Sequence, residues 1–116
     1  MTKPVLHGIP NCDTVKKARA WLDAAGVNYA FHDYKKAGVD EAALDRWIGE
    51  VGWEALLNRA GTTFRKLDDA DKANLDAARA RALMLAQPSM IRRPVVTGAG
   101  ALLVGFRPDE WAVRFG

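Results

Sequence analysis

A chain of 116 residues, 49% of them hydrophobic, can fold as one compact domain without disulfides or a structural metal. With four Trp, four Phe and 27% charged residues, the chain is too apolar and too mixed in charge to be wholly disordered. No stretch approaches the roughly 20 apolar residues of a membrane span. The net charge of +3 comes from basic residues spread among acids, so we expect binding neither to nucleic acid nor to a membrane.

The amino-terminal stretch MTKPVLHGIPN has one lysine and a very short apolar run, features of neither a signal peptide nor a transit peptide. We therefore expect a cytoplasmic protein, and a monomer by default. The single cysteine, Cys12, cannot form an internal disulfide, and together with His7 and His32 it lacks the spacing of a zinc site. We expect no metal.

The first third of the chain predicts a β-α-β unit. Residues 4–9, PVLHGI, predict a short buried strand, and residues 13–25 predict a helix that Gly26 ends. The apolar face of this helix comprises Val15, Ala18, Trp21, Leu22 and Ala25. The aromatic-rich residues 28–34, NYAFHDY, predict a second strand, parallel to the first with a right-handed crossover.

The middle of the chain is helical in character. Asp40 is suited to cap a helix that runs as far as Gly52, and a shorter turn is expected at 53–58. The apolar positions of the capped helix are Ala43, Leu44, Trp47, Ile48 and Val51.

A second helix is expected after a loop. GTTFRKL at 61–67 predicts that loop, anchored by Phe64, and either Asp68 or Asp71 then starts a helix that Pro88 stops. The apolar positions of this helix are Leu75, Ala78, Ala82 and Leu85.

The end of the chain predicts a β-β-α unit. RRPVVTG at 92–98 and ALLVGF at 101–106 read as two strands around a glycine-rich turn, which indicates an antiparallel hairpin. Pro108 fits the first turn of a final helix, where Asp109 and Glu110 are favourable. Combined with the β-α-β unit, this hairpin predicts a mixed sheet.

Cys12 lies where the first strand gives way to the first helix. Unpaired N–H groups and the positive end of the helix stabilise a thiolate there, and Lys16 and Lys17 add to this effect while Asp13 opposes it. By position alone, Cys12 is either such a nucleophile or a small buried hydrophobe. Val15 stands where a CxxC motif would place a second cysteine, so an oxidised Cys12 needs an external thiol, for which glutathione is the natural candidate.

Arginines flank the predicted hairpin. Arg92, Arg93 and Pro94 precede its first strand, and Arg107 follows its second. Paired guanidinium groups bind carboxylates, phosphates or oxyanions through forked hydrogen bonds. The alternative is that these arginines are solvated or pair with surface acids.

Five short segments together resemble the ArsC family of arsenate reductases. They are NCDT at 11–14, LLN at 56–58, GTTFRKL at 61–67, RRPVV at 92–96 and GFRP at 105–108. The resemblance is strongest to the YffB-like branch, which is related to the Spx regulators, and it covers nearly the whole chain.

The resemblance implies an α/β fold of the thioredoxin or glutaredoxin type, with a mixed four-stranded sheet and a helical insertion at about 40–87, in a single domain over 1–116. In that fold the catalytic cysteine begins the first helix, a position that Cys12 matches. The proline opening the third strand is cis, and Pro94 matches it. Glutathione or a thiol substrate binds beside this proline, which gives Arg93 a binding role.

Glutathione-dependent arsenate reductases of this family surround their cysteine with three arginines. Arg93 and Arg107 match two of them. At the third position this sequence has Asn58, with Arg59 one residue later. Losing one of three charges from a desolvated oxyanion site costs several kcal/mol, on the order of a buried charge pair, and a one-residue step on a helix turns a side chain by roughly 100°.

The leading hypothesis is a glutathione-dependent thiol-disulfide oxidoreductase in which Cys12 attacks an oxidised sulfur and glutathione, as co-substrate, resolves the mixed disulfide. Arg93 and Arg107 hold the glutathione carboxylates or an anionic substrate. The other residues assigned to binding are Asn11, Thr14, Lys16, Arg59 and Pro94. One alternative is arsenate reduction with glutathione or glutaredoxin, and another is an Spx-like binding module for RNA polymerase without a CxxC switch.

Overall fold

The computed structural model describes residues 3–115, apart from the side chain of Lys35. The chain forms two compact units: Met1–Ala37 with Arg93–Gly116, here called the sheet unit, and Gly38–Arg92, here called the helical unit. The insertion expected at 40–87 lies within the sequence of the helical unit. Among residues 3–115, no helix is long and apolar enough to cross a membrane.

The described residues of the sheet unit form four strands and three helices. Its elements are β1 (Val5–Gly8), α1 (Asp13–Ala24), β2 (Ala30–Asp33), α2 (Tyr34–Ala37), β3 (Val95–Thr97), β4 (Leu103–Val104) and α8 (Pro108–Phe115). The strand order is β2-β1-β3-β4, with β1 parallel to β2 and β3 antiparallel to both β1 and β4. The predicted β-α-β and β-β-α halves and the mixed four-stranded α/β sheet are confirmed.

The strand register defines one edge of this sheet, here called the Gly8 edge. Gly8 at the end of β1 lies opposite Asp33 at the end of β2, and His7 lies opposite Val95 at the start of β3. Val95 in turn pairs with Val104 at the end of β4. The carboxyl ends of β1, β2 and β4 therefore meet the amino end of β3 along this edge.

The second strand is shorter than predicted. It ends at Asp33, and Tyr34 opens α2 instead of continuing the strand. The Asp33 carboxylate accepts a hydrogen bond of 3.2 Å from the backbone N–H of Lys36, so a local side-chain contact replaces the strand ladder.

The core of the sheet unit lies between the sheet and its two long helices. Its buried members are Leu6, Val15, Ala18, Leu22, Val96, Leu103 and Trp111. Within the predicted apolar face of α1, Trp21 is only half-buried and Ala25 is exposed. The helix ends as predicted at Gly26, whose φ of +73° belongs to the left-handed region that favours glycine.

The helical unit contains five helices and a 3-10 turn. They are α3 (Glu41–Val51), α4 (Trp53–Leu56), α5 (Thr62–Arg65), α6 (Asp69–Lys72), α7 (Ala77–Ala86) and the 3-10 turn Pro88–Met90. The predicted cap is confirmed, since the Asp40 carboxylate accepts a hydrogen bond of 3.0 Å from the N–H of Ala43. Gly52 separates α3 from α4 at a φ of +85°.

Three predictions in this unit were wrong. Residues 61–67 contain helix α5 rather than a plain loop, although Phe64 is buried there as expected. The single helix expected from Asp68 or Asp71 is two helices. Asn74, at a φ of +54°, interrupts the helical conformation, and the Asp76 carboxylate caps α7. The buried residues of α7 are Ala80 and Met84, not the predicted positions.

Candidate active site

Cys12 lies between β1 and α1, at the Gly8 edge. Its N–H donates to the carbonyl of Ile9 over 3.2 Å, which closes a turn with Pro10 and Asn11 at its exposed corner. Its carbonyl accepts the N–H of Lys16 over 2.9 Å, so Cys12 is the residue that caps the helix. The thiol is half-buried and packs against the core of the sheet unit. The first N–H groups of α1, which have no partner inside a helix, therefore follow directly after it.

Three of the predicted binding residues are sequence neighbours of this thiol. Asn11 lies in the turn before it, and Thr14 and Lys16 lie in the first turn of α1. All three side chains are exposed. The structure thus places polar groups and one lysine on the solvent side of a half-buried cysteine.

Arg93 and Pro94 enter the Gly8 edge from β3. The Arg93–Pro94 peptide bond is cis, as the family resemblance implied. Pro94 is buried, and its carbonyl accepts the N–H of Gly105 over 2.8 Å, while Arg93 is half-buried. Because Val95 lies opposite His7, the residues just before Val95 reach the end of β1 that leads into the Cys12 turn.

Tyr34 follows Asp33 at the Gly8 edge, and the sequence did not identify it as a site residue. Its side chain is fully buried at the first position of α2. Burial raises the pKa of its phenol well above the usual range, the positive charge of Arg93 lowers it, and the negative charge of Cys12 raises it. The phenol is therefore within electrostatic reach of both groups. An aromatic residue at the end of a predicted strand signals only core packing, so no sequence pattern indicated this position.

Arg107 reaches the same edge from β4. It immediately precedes α8, and its carbonyl accepts the N–H of Trp111 over 2.9 Å. Its guanidinium is 75% exposed and lies 4.0 Å from the Glu110 carboxylate. An exposed ion pair of this length contributes little, so binding an anion here requires no buried pair to be broken.

Arg59 belongs to the helical unit, whereas Cys12, Arg93 and Arg107 belong to the sheet unit. Its guanidinium carbon lies 5.1 Å from the centre of the Trp53 ring, a cation–π contact. The neighbouring Asn58 donates its N–H to the Met90 carbonyl over 2.7 Å, and its side-chain oxygen accepts the N–H of Ala60 over 3.2 Å. Asn58 thus has a structural role in its turn.

Comparison with known proteins extends these observations. Residues 7–113 match the model of the ArsC family. A solved structure of a protein named YffB is 60% identical, covers 97% of this chain and 99% of that one, and superimposes with a TM-score of 0.93. The solution structure of an arsenate reductase (ArsC) related protein from Brucella melitensis is 56% identical over 99% of this chain and 95% of that one, with a TM-score of 0.79.

The global transcriptional regulator Spx of Streptococcus mutans is a more distant relative. It is 29% identical over 103 residues, which are 87% of this chain and 74% of the regulator. Together these similarities extend from β1 to α8, through both units of the fold.

Proposed function

Because this chain belongs to the ArsC family, we propose that it is a glutathione-dependent thiol-disulfide oxidoreductase with Cys12 as its nucleophile. The observation that carries this proposal is the position of a lone thiol at the amino end of α1, on the same sheet edge as Arg93 and Pro94. A thiolate is favoured at a helix amino end and near an arginine.

The reaction proceeds in three exchanges. The Cys12 thiolate attacks one sulfur of an oxidised substrate, a new S–S bond forms, and the other substrate sulfur leaves as a thiolate. A glutathione thiolate then attacks this mixed disulfide and displaces the reduced substrate, leaving Cys12 joined to glutathione. A second glutathione releases Cys12, so that two glutathione molecules become one disulfide as the substrate disulfide is reduced.

An external thiol is required because the chain contains one cysteine. Val15 occupies the position, one helical turn after Cys12, at which an internal resolving cysteine would lie. We assign the glutathione carboxylates to Arg93 and Arg107, which bind carboxylates through forked hydrogen bonds. Residues with supporting roles in binding are Asn11, Thr14, Lys16 and, through its backbone, Pro94.

The test is the reaction of the purified protein with glutathione disulfide, followed by intact-mass spectrometry. We expect one glutathione adduct per chain, reversed by reduced glutathione, and no adduct on Cys12→Ser. A titration with reduced glutathione followed by backbone amide shifts should move residues around Cys12, Arg93 and Pro94. An unreactive thiol, or amide shifts confined to other regions, would contradict the proposal.

Arsenate reduction is the second candidate, favoured by the 56% identity to the Brucella protein described as arsenate reductase related. The Asn58 substitution weakens it, because that residue contributes no charge to an oxyanion. Incubation with arsenate, glutathione and glutaredoxin distinguishes the two. Arsenite formation that disappears in Cys12→Ser would favour this candidate.

A non-catalytic role is the third candidate, favoured by the similarity to Spx, a transcriptional regulator. An Spx-like module would bind RNA polymerase without a redox switch, since the chain has no CxxC motif. Affinity capture with the α subunit of RNA polymerase tests this role. Capture that Cys12→Ser leaves unchanged would support a binding module.

A further inference from the structure

Tyr34 combines complete burial with a position at the candidate site. Its side chain has 0% exposure, yet it carries a hydroxyl group, and a buried hydroxyl is stable only when it is hydrogen-bonded. A residue needed only to fill the core would serve as well without that oxygen. No buried side-chain oxygen among the described residues lacks a hydrogen-bond partner, so this hydroxyl has one, which a phenylalanine filling the same space would not need.

Tyr34, Cys12 and Arg93 are each brought to the Gly8 edge by a separate backbone contact. Because Gly8 pairs with Asp33, the chain after β2 places Tyr34 beside the residue that starts the Cys12 turn. The hydrogen bond from Cys12 to Ile9 folds that turn back over the end of β1. Because His7 pairs with Val95, Arg93 arrives at the same edge from the opposite direction.

We propose that Tyr34 is a further catalytic residue, whose hydroxyl accepts a hydrogen bond from Arg93 and donates its own to the Cys12 thiolate. This inference rests on the proposed function, in which Cys12 cycles between thiolate and mixed disulfide. A phenol is suited to the place because it can accept and donate at once, whereas a guanidinium can only donate.

The charges around the phenol agree with this arrangement. Burial raises its pKa far above the pH at which thiol exchange occurs, so the hydroxyl keeps its proton and remains a donor throughout the cycle. Arg93 and Cys12 act on that pKa in opposite directions, as expected for a group with a cation on one side and an anion on the other. A neutral donor stabilises the thiolate without neutralising it.

The hydroxyl acts where Cys12 is the leaving group. When the second glutathione thiolate attacks the sulfur of the bound glutathione, a new S–S bond forms, the bond to Cys12 breaks, and the electron pair passes to the Cys12 sulfur. The hydroxyl donates to this developing anion and transfers no proton. Leaving thiolates depart faster when they are stabilised, so removing the donor slows this step.

The test compares Tyr34→Phe with Tyr29→Phe, each of which removes one hydroxyl. Tyr29 precedes β2 at the other end of the strand and bonds Arg19 over 3.2 Å, so it is the matched control. Losing a donor to the thiolate should move the pH midpoint of Cys12 alkylation by iodoacetamide upwards by about one pH unit, the effect of one hydrogen bond to a charged group. We expect this shift of the midpoint in Tyr34→Phe and no shift in Tyr29→Phe.

Equal pH midpoints of Cys12 alkylation in a folded Tyr34→Phe protein and in the wild type would overturn the inference. Alkylation requires no glutathione, so failure of the proposed function is seen separately, as a wild-type protein that alkylates normally but forms no glutathione adduct.

A measurement on the wild-type protein tests the inference even if the Tyr34→Phe protein does not fold. The chain has two tyrosines, so their ring signals are readily assigned by NMR. Blocking Cys12 with iodoacetamide should shift the Tyr34 ring signals and leave those of Tyr29 in place. An unmoved Tyr34 ring would overturn the inference.

Discussion

Adjacent arginines in this chain have different surroundings. Arg92 is exposed and ends the helical unit, whereas Arg93 is half-buried, precedes the cis proline and acts electrostatically on Tyr34. A cation removed from water interacts more strongly with a nearby anion than an exposed one does. The two residues therefore form an internal comparison for the proposed binding role.

Arg93→Gln should slow adduct formation between Cys12 and glutathione disulfide about tenfold, the effect of losing one hydrogen bond to a charged group. Arg92→Gln, which removes the same charge one residue earlier, should change the rate by less than about twofold. Stopped-flow mixing with mass detection gives both rates. Equal losses in the two variants would mean that general positive charge, rather than a site at Arg93, attracts the substrate.

At the residue scale, the sequence was sufficient to propose Cys12, Arg93 and Pro94 as candidates, because a helix start and a proline-headed strand leave local patterns. It was insufficient for Tyr34. That residue joins the site through the pairing of Gly8 with Asp33, a contact between distant strands that no local pattern records. The site role of each of these residues stays a prediction until the variants are measured.

At the scale of elements, α1 rests directly on β1. A methyl group added at Gly8 would lie 2.8 Å from a methyl carbon of Val15, in the first turn of the helix that Cys12 begins. Val15 is fully buried and has little room to move. Glycine at this position therefore sets how closely the first turn approaches the strand.

Gly8→Ala should lower the free energy of unfolding by about 1–3 kcal/mol, as overpacking does, and should slow Cys12 alkylation by displacing the turn. Val15→Ala removes the clashing methyl groups. The double variant should therefore be more stable than the sum of the single effects predicts, by about 1 kcal/mol in denaturant unfolding. Strictly additive losses would show that the close contact does not control the position of α1.

The paired strands β1 and β2 carry adjacent histidines. His7 lies opposite His32, with ring centres 5.2 Å apart, and its Nε2 atom is 3.1 Å from the Thr97 hydroxyl. Burial, and secondarily the charge of His32, lower the pKa of His7 from 6.5 to about 4. The unfolded chain therefore binds a proton on His7 in a pH range in which the folded chain does not.

Because the unfolded state takes up this proton first, stability should fall as the pH drops from 6.5 towards 4. His7 is partly exposed, so we expect a loss of about 2 kcal/mol rather than the full linkage value. Urea unfolding across this range measures it. His7→Gln should flatten the pH dependence, whereas His32→Gln should preserve most of it; equal flattening by both would show that the charge of His32 outweighs burial.

Prediction of the elements from sequence succeeded where caps and periodicity were strong. Asp40 marked the start of α3 correctly, and Pro108 marked the start of α8. It failed between Asp68 and Leu85, because the sequence pattern there does not show that Asn74 lies in the left-handed region and separates two helices. Periodicity alone does not detect a single residue in the left-handed region.

At the scale of the whole molecule, the sheet unit is assembled from both ends of the chain. Met1–Ala37 and Arg93–Gly116 form it together, with Gly38–Arg92 between them in sequence. The Cys12 site depends on this assembly, since the turn after β1 supplies the thiol and the residues just before β3 are Arg93 and Pro94. The stability of the carboxyl-terminal elements is therefore coupled to the site.

Trp111 in α8 is the largest fully buried side chain in the core of the sheet unit. It is fully buried, and its ring meets three others edge to face at centre distances of 4.9 to 5.9 Å. These rings are those of Trp21, Phe106 and Phe115. Trp21 comes from α1, so one tryptophan joins the last helix of the chain to the helix that begins at Cys12.

Trp111→Ala should lower the free energy of unfolding by about 3–5 kcal/mol through cavity formation. Val113→Ala, two residues away on the same helix at 86% exposure, should change it by less than about 1 kcal/mol. Guanidinium unfolding followed by circular dichroism measures both. Because Cys12 packs against the cluster that contains Trp111, its alkylation should become faster and less dependent on folding in Trp111→Ala alone. A Trp111→Ala protein as stable as Val113→Ala would mean that α8 is peripheral and that the stability of the sheet unit does not depend on it.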